Sequence, residues 1–132
     1  MSLTTTGRRL LLATVALAVA DVIGGLLAVS AGVETWGEAW GFEPSSAPPW
    51  PMWVVQLLLA WLAARDVRPR LGRVAAVLLA VVCGISLIFG LFDGDLANSS
   101  GVQFAWGVVL VLITAMVGLL AIARARDLRR GR

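Results

Sequence analysis

The chain has no histidine, no tyrosine and no lysine, a single cysteine, and few charges of any kind, 14% of its 132 residues. Each shortage excludes something. Without histidine the commonest proton shuttle and metal ligand are gone, and without lysine there is no Schiff-base nucleophile. One cysteine forbids an internal disulfide. Hydrophobic residues make up 59% of the chain, and a soluble domain this small, which leaves about a third of its unfolded-chain surface wet, has nowhere to hide them. Disorder, a disulfide scaffold and an ordinary soluble enzyme are excluded, and neither a metal nor a cofactor is expected.

What is present is a set of four apolar runs. A helix needs about 20 apolar residues to cross the hydrocarbon core. The runs cover 10–33, interrupted only by Asp21, then 50–64, 71–92 and 102–123. The second is the shortest, about 22 Å of helix against a core of roughly 30 Å. The pattern predicts an all-α, polytopic membrane protein, an antiparallel four-helix transmembrane bundle forming one domain over 1–132.

The arginines are segregated. Arg8 and Arg9 precede the first run, Arg65, Arg68, Arg70 and Arg73 lie between the second and third, and Arg124, Arg126, Arg129, Arg130 and Arg132 follow the fourth. The alternate loops carry only acids, Glu34, Glu38, Glu43, Asp93 and Asp95. Arginine bias in short loops sets orientation, so both termini and the middle loop are expected in the cytoplasm, with the protein in the inner membrane and anionic headgroups at its arginine face. The same bias explains the basic balance without a nucleic-acid partner. Exclusive use of arginine over lysine points to a GC-rich bacterial genome. A competing reading takes Arg8 to Ala20 as a signal peptide with an A-x-A site at Ala18, Val19 and Ala20; the apolar run continues well past a signal peptide's length.

Asp21 sits near the centre of the first run, where an acid costs roughly 2.5 to 3.5 kcal/mol, a cost that the surrounding Leu, Val and Ile residues cover. Counted inward at about 1.5 Å per residue, Asp21 and Cys83 both lie about 16 Å deep, with Gln56 and Thr114 within a few ångströms and Ser86 one turn further out. Each helix thus brings one polar or polarisable group to a midplane layer. Asp21 is read either as a carboxyl that loads and releases a proton or cation inside a shell of Gln56, Ser86 and Thr114, or as a carboxyl bonded to Gln56 or Thr114 that fixes helix register. Cys83 reads as a small apolar filler.

The segment 34–49 is expected to lie in the interface. Glu34 and Glu38 share one helical face and Trp36 and Trp40 roughly the opposite one, after which Pro44, Pro48, Pro49 and Pro51 forbid regular helix. Trp36, Trp40, Trp50, Trp53 and Trp106 map to the outer level, and Trp61 alone lies toward the inside. An aromatic belt is the default reading. The other is a ligand site in which indole faces and the carboxylates of Glu34 and Glu38 receive a lipophilic cation. The loop from Asp93 to Ser100 reads as a solvated turn.

The segments Ala64-Arg65-Asp66-Val67-Arg68 and Ala125-Arg126-Asp127-Leu128-Arg129 echo each other, as two parallel hairpins would. In size, helix count and an acid in the first helix, here Asp21, the chain resembles small multidrug-resistance transporters. Those use a glutamate in a surrounding pattern that this sequence does not match, so no family is assigned. No catalytic constellation is recognisable and an enzyme is the weakest reading. A membrane enzyme acting on a hydrophobic substrate through carboxylates, a proton- or cation-coupled transporter or lipophilic-ligand binder, and an accessory or structural subunit that packs with itself or a larger membrane partner all remain in view, the last favoured.

Overall fold

A computed structural model describes residues 3–32, 34–40, 50–92 and 101–131. Among them the protein is all-helical, with no strands and one isolated antiparallel bridge between Leu3 and Arg65. Its helices are α1 (Thr5–Ser30), α2 (Trp36–Trp40), α3 (Trp50–Ala64), α4 (Pro69–Phe92) and α5 (Val102–Arg130). Three of them, α1, α4 and most of α5, are long and apolar enough to cross a membrane. The expectation of four crossings is met by length in these three only, because α3 has 15 residues.

Local chemistry sets most boundaries. Thr4 caps α1 by accepting from the Gly7 N–H at 3.1 Å, satisfying one of the donors that a helix start leaves without a partner. The helix stops at Ser30 because Gly32 takes up a left-handed φ of 71° that reverses the chain. Thr35 and Glu38 form a reciprocal capping box before α2: the Thr35 N–H donates to Glu38 Oε2 at 2.8 Å and the Glu38 N–H to Thr35 Oγ1 at 3.4 Å. Pro69 opens α4, a position where a missing N–H costs nothing. At the other extreme α5 does not end at residue 123 as expected but runs through its arginines to Arg130, since no breaker intervenes before Gly131.

Each long helix has two principal neighbours: α1 lies against α3 and α5, and α4 against the same two. Neighbours run antiparallel, so the start of α1, the end of α3, the start of α4 and the end of α5 gather at one end, called here the arginine end. Contact there is close. A Cβ placed on Gly7 would lie 2.8 Å from the Ala64 carbonyl oxygen, and one on Gly72 3.3 Å from Leu128 Cδ1. The core is built mainly of small side chains, Ala13, Ala60, Ala63, Ala75, Ala76, Cys83 and Ala121, filled out by Leu10, Leu17, Leu79 and Val117. The large apolar residues of α4 and α5, Val74, Leu78, Ile85, Ile88, Phe92, Leu112 and Leu119 among them, point outward. Soluble proteins do the reverse, whereas helices in lipid approach through small residues.

Candidate functional site

Two polar sites lie inside the assembly of helices, and they are built differently. The first is the midplane layer. Asp21 is 2% exposed, Gln56, Cys83 and Thr114 are buried, and Ser86 is half-buried. All five residues therefore turn at least partly inward, yet the hydrogen bonds expected between them are absent among the described residues. The Thr114 hydroxyl donates to the Leu110 carbonyl of its own helix at 2.7 Å, as Thr14 does to Leu10 at 2.9 Å, the back-bonding habit of hydroxyls in apolar helices. Asp21 Oδ2 is buried without a hydrogen-bond partner. Cys83 packs opposite Gly118, where a Cβ would lie 3.4 Å away, so its thiol sits in the seam between α4 and α5.

The seam beside Asp21 is closed by Trp106. Its indole Nε1–H donates to the Ala20 carbonyl at 3.0 Å, and it lies over Gly24, where a Cβ would come within 3.0 Å of that nitrogen. Glycine is what lets the ring rest on α1. Trp106 therefore serves as a tie between α1 and α5. The other residues expected at an outer mouth lie on or just before α2 and at the start of α3. Trp36 is exposed on α2, which packs on α1, with Glu38 exposed and Glu34 half-buried nearby in sequence. Trp50 is exposed and Trp53 half-buried at the start of α3. Trp40 ends α2, and its side chain falls outside the described residues, as does the turn 93–100.

The second site was not anticipated. Arg124, read from the sequence as the charge that ends the fourth run, is 2% exposed and is the largest fully buried side chain among the described residues. Its Nε donates to the Ala63 carbonyl at 2.9 Å, Nη1 to Thr4 Oγ1 at 2.7 Å, and Nη2 to both the Ala64 carbonyl at 3.5 Å and the Asp66 carboxylate. One guanidinium thus joins the cap of α1, the last turn of α3 and the link to α4. The chemistry is matched at each point: a helix end leaves its final carbonyls without intrahelical donors and carries partial negative charge, and the planar fork of arginine reaches several acceptors at once. A buried cation is tolerable only when paired and bonded in this way.

One signal was available in the sequence. Thr114, Val117, Ala121, Arg124 and Leu128 follow each other at three- and four-residue steps, so the buried face of α5 passes straight through Arg124 to an apolar residue lying among arginines. Nearby, the Arg65 guanidinium stacks 3.6 Å from the Trp61 ring centroid, an interaction that favours cations over indole faces. The two echoing segments part company here, since Arg65 and Asp66 leave the helix while Arg126 and Asp127 remain within α5. Among the described residues no three His, Cys, Asp or Glu side chains converge as a metal site would require.

Neither a family model, nor a curated protein, nor a solved structure matches this chain.

Proposed function

We propose that the chain is a four-span protein of the inner membrane, an antiparallel bundle with both termini in the cytoplasm, that serves as an accessory or structural subunit. The observation that carries this reading is the inverted burial. Alanine and glycine lie between the helices while leucine, valine, isoleucine and phenylalanine face out, which is favourable only where the surroundings are apolar. The opening is uneven. The apolar window of α1 is 44% buried, that of α4 and that of α5 only 22%, so the α4–α5 side offers the larger free surface. On α4, Val74, Leu78, Val81, Ile85, Ile88 and Phe92 are all exposed and follow at alternating steps of four and three, the spacing at which one helix meets another along a seam.

The test is purification in mild detergent. The wild type is expected to bring down a stoichiometric membrane partner, whose binding is lost when Ile85→Trp and Ile88→Trp enlarge the α4 ridge and kept when Leu112→Trp enlarges the exposed face of α5. A wild type that purifies alone as a monomer overturns the reading.

A second reading, transport or lipophilic-ligand binding at Asp21, draws on the buried oxygen of that residue that no described group satisfies, since an intramembrane acid usually marks a pathway or a ligand. Here Asp21→Asn would abolish proton-coupled flux of a lipophilic cation in proteoliposomes while leaving the amount of folded protein unchanged. Flux that persists in the variant rejects it.

A further inference from the structure

Between α4 and α5, at the arginine end, lies a groove of about 370 Å³ lined by Arg73, Val77, Ala80, Val81, Ile122, Ala125, Arg126 and Arg129. Its two walls are graded in the same direction. Along α4 the lining passes from Arg73 to Val81, a rise of about 12 Å, and along the antiparallel α5 from Arg129 and Arg126 back to Ile122, so three guanidinium groups stand at one end and an apolar trough leads away from them. None of the lining residues is acidic, and none of the three arginines forms an ion pair among the described residues. Arg124, two residues and so about half a turn from Ile122 and from Arg126, faces the other way and is consumed in its own contacts with Asp66, Thr4 and α3. The groove arginines are thus free cations beside a cleft whose far part is lined by Val77, Ala80, Val81 and Ile122.

We infer that this groove is a binding site for a single anionic phospholipid, the headgroup phosphate held by Arg73, Arg126 and Arg129 and an acyl chain laid along Val77, Val81 and Ile122. Charge complementarity selects an anion, and guanidinium forks match phosphate oxygens in pairs. The apolar continuation selects a lipid over a free anion, and the place of the site at the end of the helices puts the phosphate at headgroup level. The lipid would fill the cleft between α4 and α5 and so stiffen the surface on which the accessory reading depends. The inference rests on the membrane-spanning part of that reading and not on the identity of any partner.

The test uses the full chain reconstituted in vesicles of mixed phosphatidylglycerol and phosphatidylcholine, extracted into mild detergent, with retained lipid counted by native mass spectrometry. One phosphatidylglycerol per chain is expected, in preference to phosphatidylcholine. Each arginine near an anionic surface contributes about a five-fold gain in affinity, so neutralising all three as Arg73→Gln, Arg126→Gln and Arg129→Gln is expected to weaken retention about a hundred-fold. Removing the same charge outside the groove, as Arg68→Gln, Arg70→Gln and Arg130→Gln, leaves retention unchanged. Val77→Trp with Ala80→Trp fills the trough without altering charge and also expels the lipid, which keeps the inference testable if the charge variant inserts poorly.

Equal loss in the control variant, equal retention of phosphatidylcholine, or no effect of filling the trough overturns the lipid site. Displacement of the lipid by millimolar inorganic phosphate overturns it in favour of a free-anion site. Alkaline extraction of the same vesicles separates the two levels of inference: a chain stripped from the bilayer rejects the membrane-spanning reading itself, whereas a chain that stays in without a bound lipid rejects the groove alone.

Discussion

The two ends of the helix assembly are held together by different chemistry. At the arginine end, four helix termini converge on one buried guanidinium whose donors reach the α1 cap, the last turn of α3 and the Asp66 carboxylate, and the backbones of α1 and α3 touch at Gly7 and Ala64. Toward the other end α3 is already at its first residues, α4 and α5 carry exposed aromatics up to Phe92, which is 82% exposed, and the Trp106 indole ties α5 to α1 by its hydrogen bond to Ala20. Both halves bury an ionisable group. Arg124 is bonded on all sides; Asp21 holds an oxygen with no partner. Burial of charge therefore has opposite meanings within one chain: at Arg124 it is a fastening, and at Asp21 it is an unfilled place in the hydrogen-bond pattern.

The sharpest way to break this contrast is Arg124→Met. It leaves two helix-terminal carbonyls without donors and Asp66 without its cation, and each such orphaned group costs about 1 to 3 kcal/mol. A loss of about 3 kcal/mol is expected, seen as a melting temperature lower by about 10 °C in detergent. An unchanged melting temperature would remove Arg124 as the fastening of that end. Gly7→Ala comes next, because its Cβ would meet the Ala64 carbonyl at 2.8 Å and force α1 and α3 apart, at a cost of about 2 kcal/mol by the same measurement.

The far half is expected to respond less. Trp106→Phe deletes one hydrogen bond to a mid-helix carbonyl that keeps its own helical donor, so about 1 kcal/mol is expected; a larger loss than that of Arg124→Met would reverse the comparison. Asp21→Leu replaces a buried oxygen that lacks a partner and is expected to leave stability unchanged or raise it slightly. A strong loss in thermal unfolding would show that Asp21 is bonded in the folded protein after all.

The smallest effect belongs to the capping box of α2. Its hydrogen bonds from the Thr35 N–H and hydroxyl hold the Glu38 carboxyl below its ordinary value of 4.5. A depressed value means that the stabilisation is fully present above the ordinary value and is lost as pH falls through the folded one. The protection of the Thr35 and Glu38 amides relative to their intrinsic exchange rates should therefore fall in acid, and Glu38→Gln should abolish most of that pH response without altering global melting.

Much of the architecture was legible because the signals are one-dimensional. The run at 50–64 coincides with α3, and α4 begins two residues before the expected 71 because Pro69 is a favourable first helical residue. The bounds of α1 depend on Thr4 as a cap and Gly32 as a left-handed turn, and α5 outruns residue 123 because charge does not stop a helix whereas Gly131 does. The candidate site was legible in part. The cost of a polar group in lipid already argues that Asp21, Gln56 and Thr114 turn inward, and they are buried. What they bond to was not legible, since Thr114 satisfies itself on Leu110 and depth alone cannot distinguish that from a bond to Asp21. Trp106 was placed by its level, which does not say that it would turn toward Gly24.

Composition and the alternation of apolar and basic stretches were sufficient to make the chain helical, to mark three helices for a membrane, and to put like charges near like ends. These properties depend on hydropathy summed over 20 residues and need no knowledge of neighbours. The burial of Arg124, alone among the arginines of the described residues, needed the packed helices, because an arginine becomes a fastening only where another helix ends within its reach and presents carbonyls that have no donors of their own.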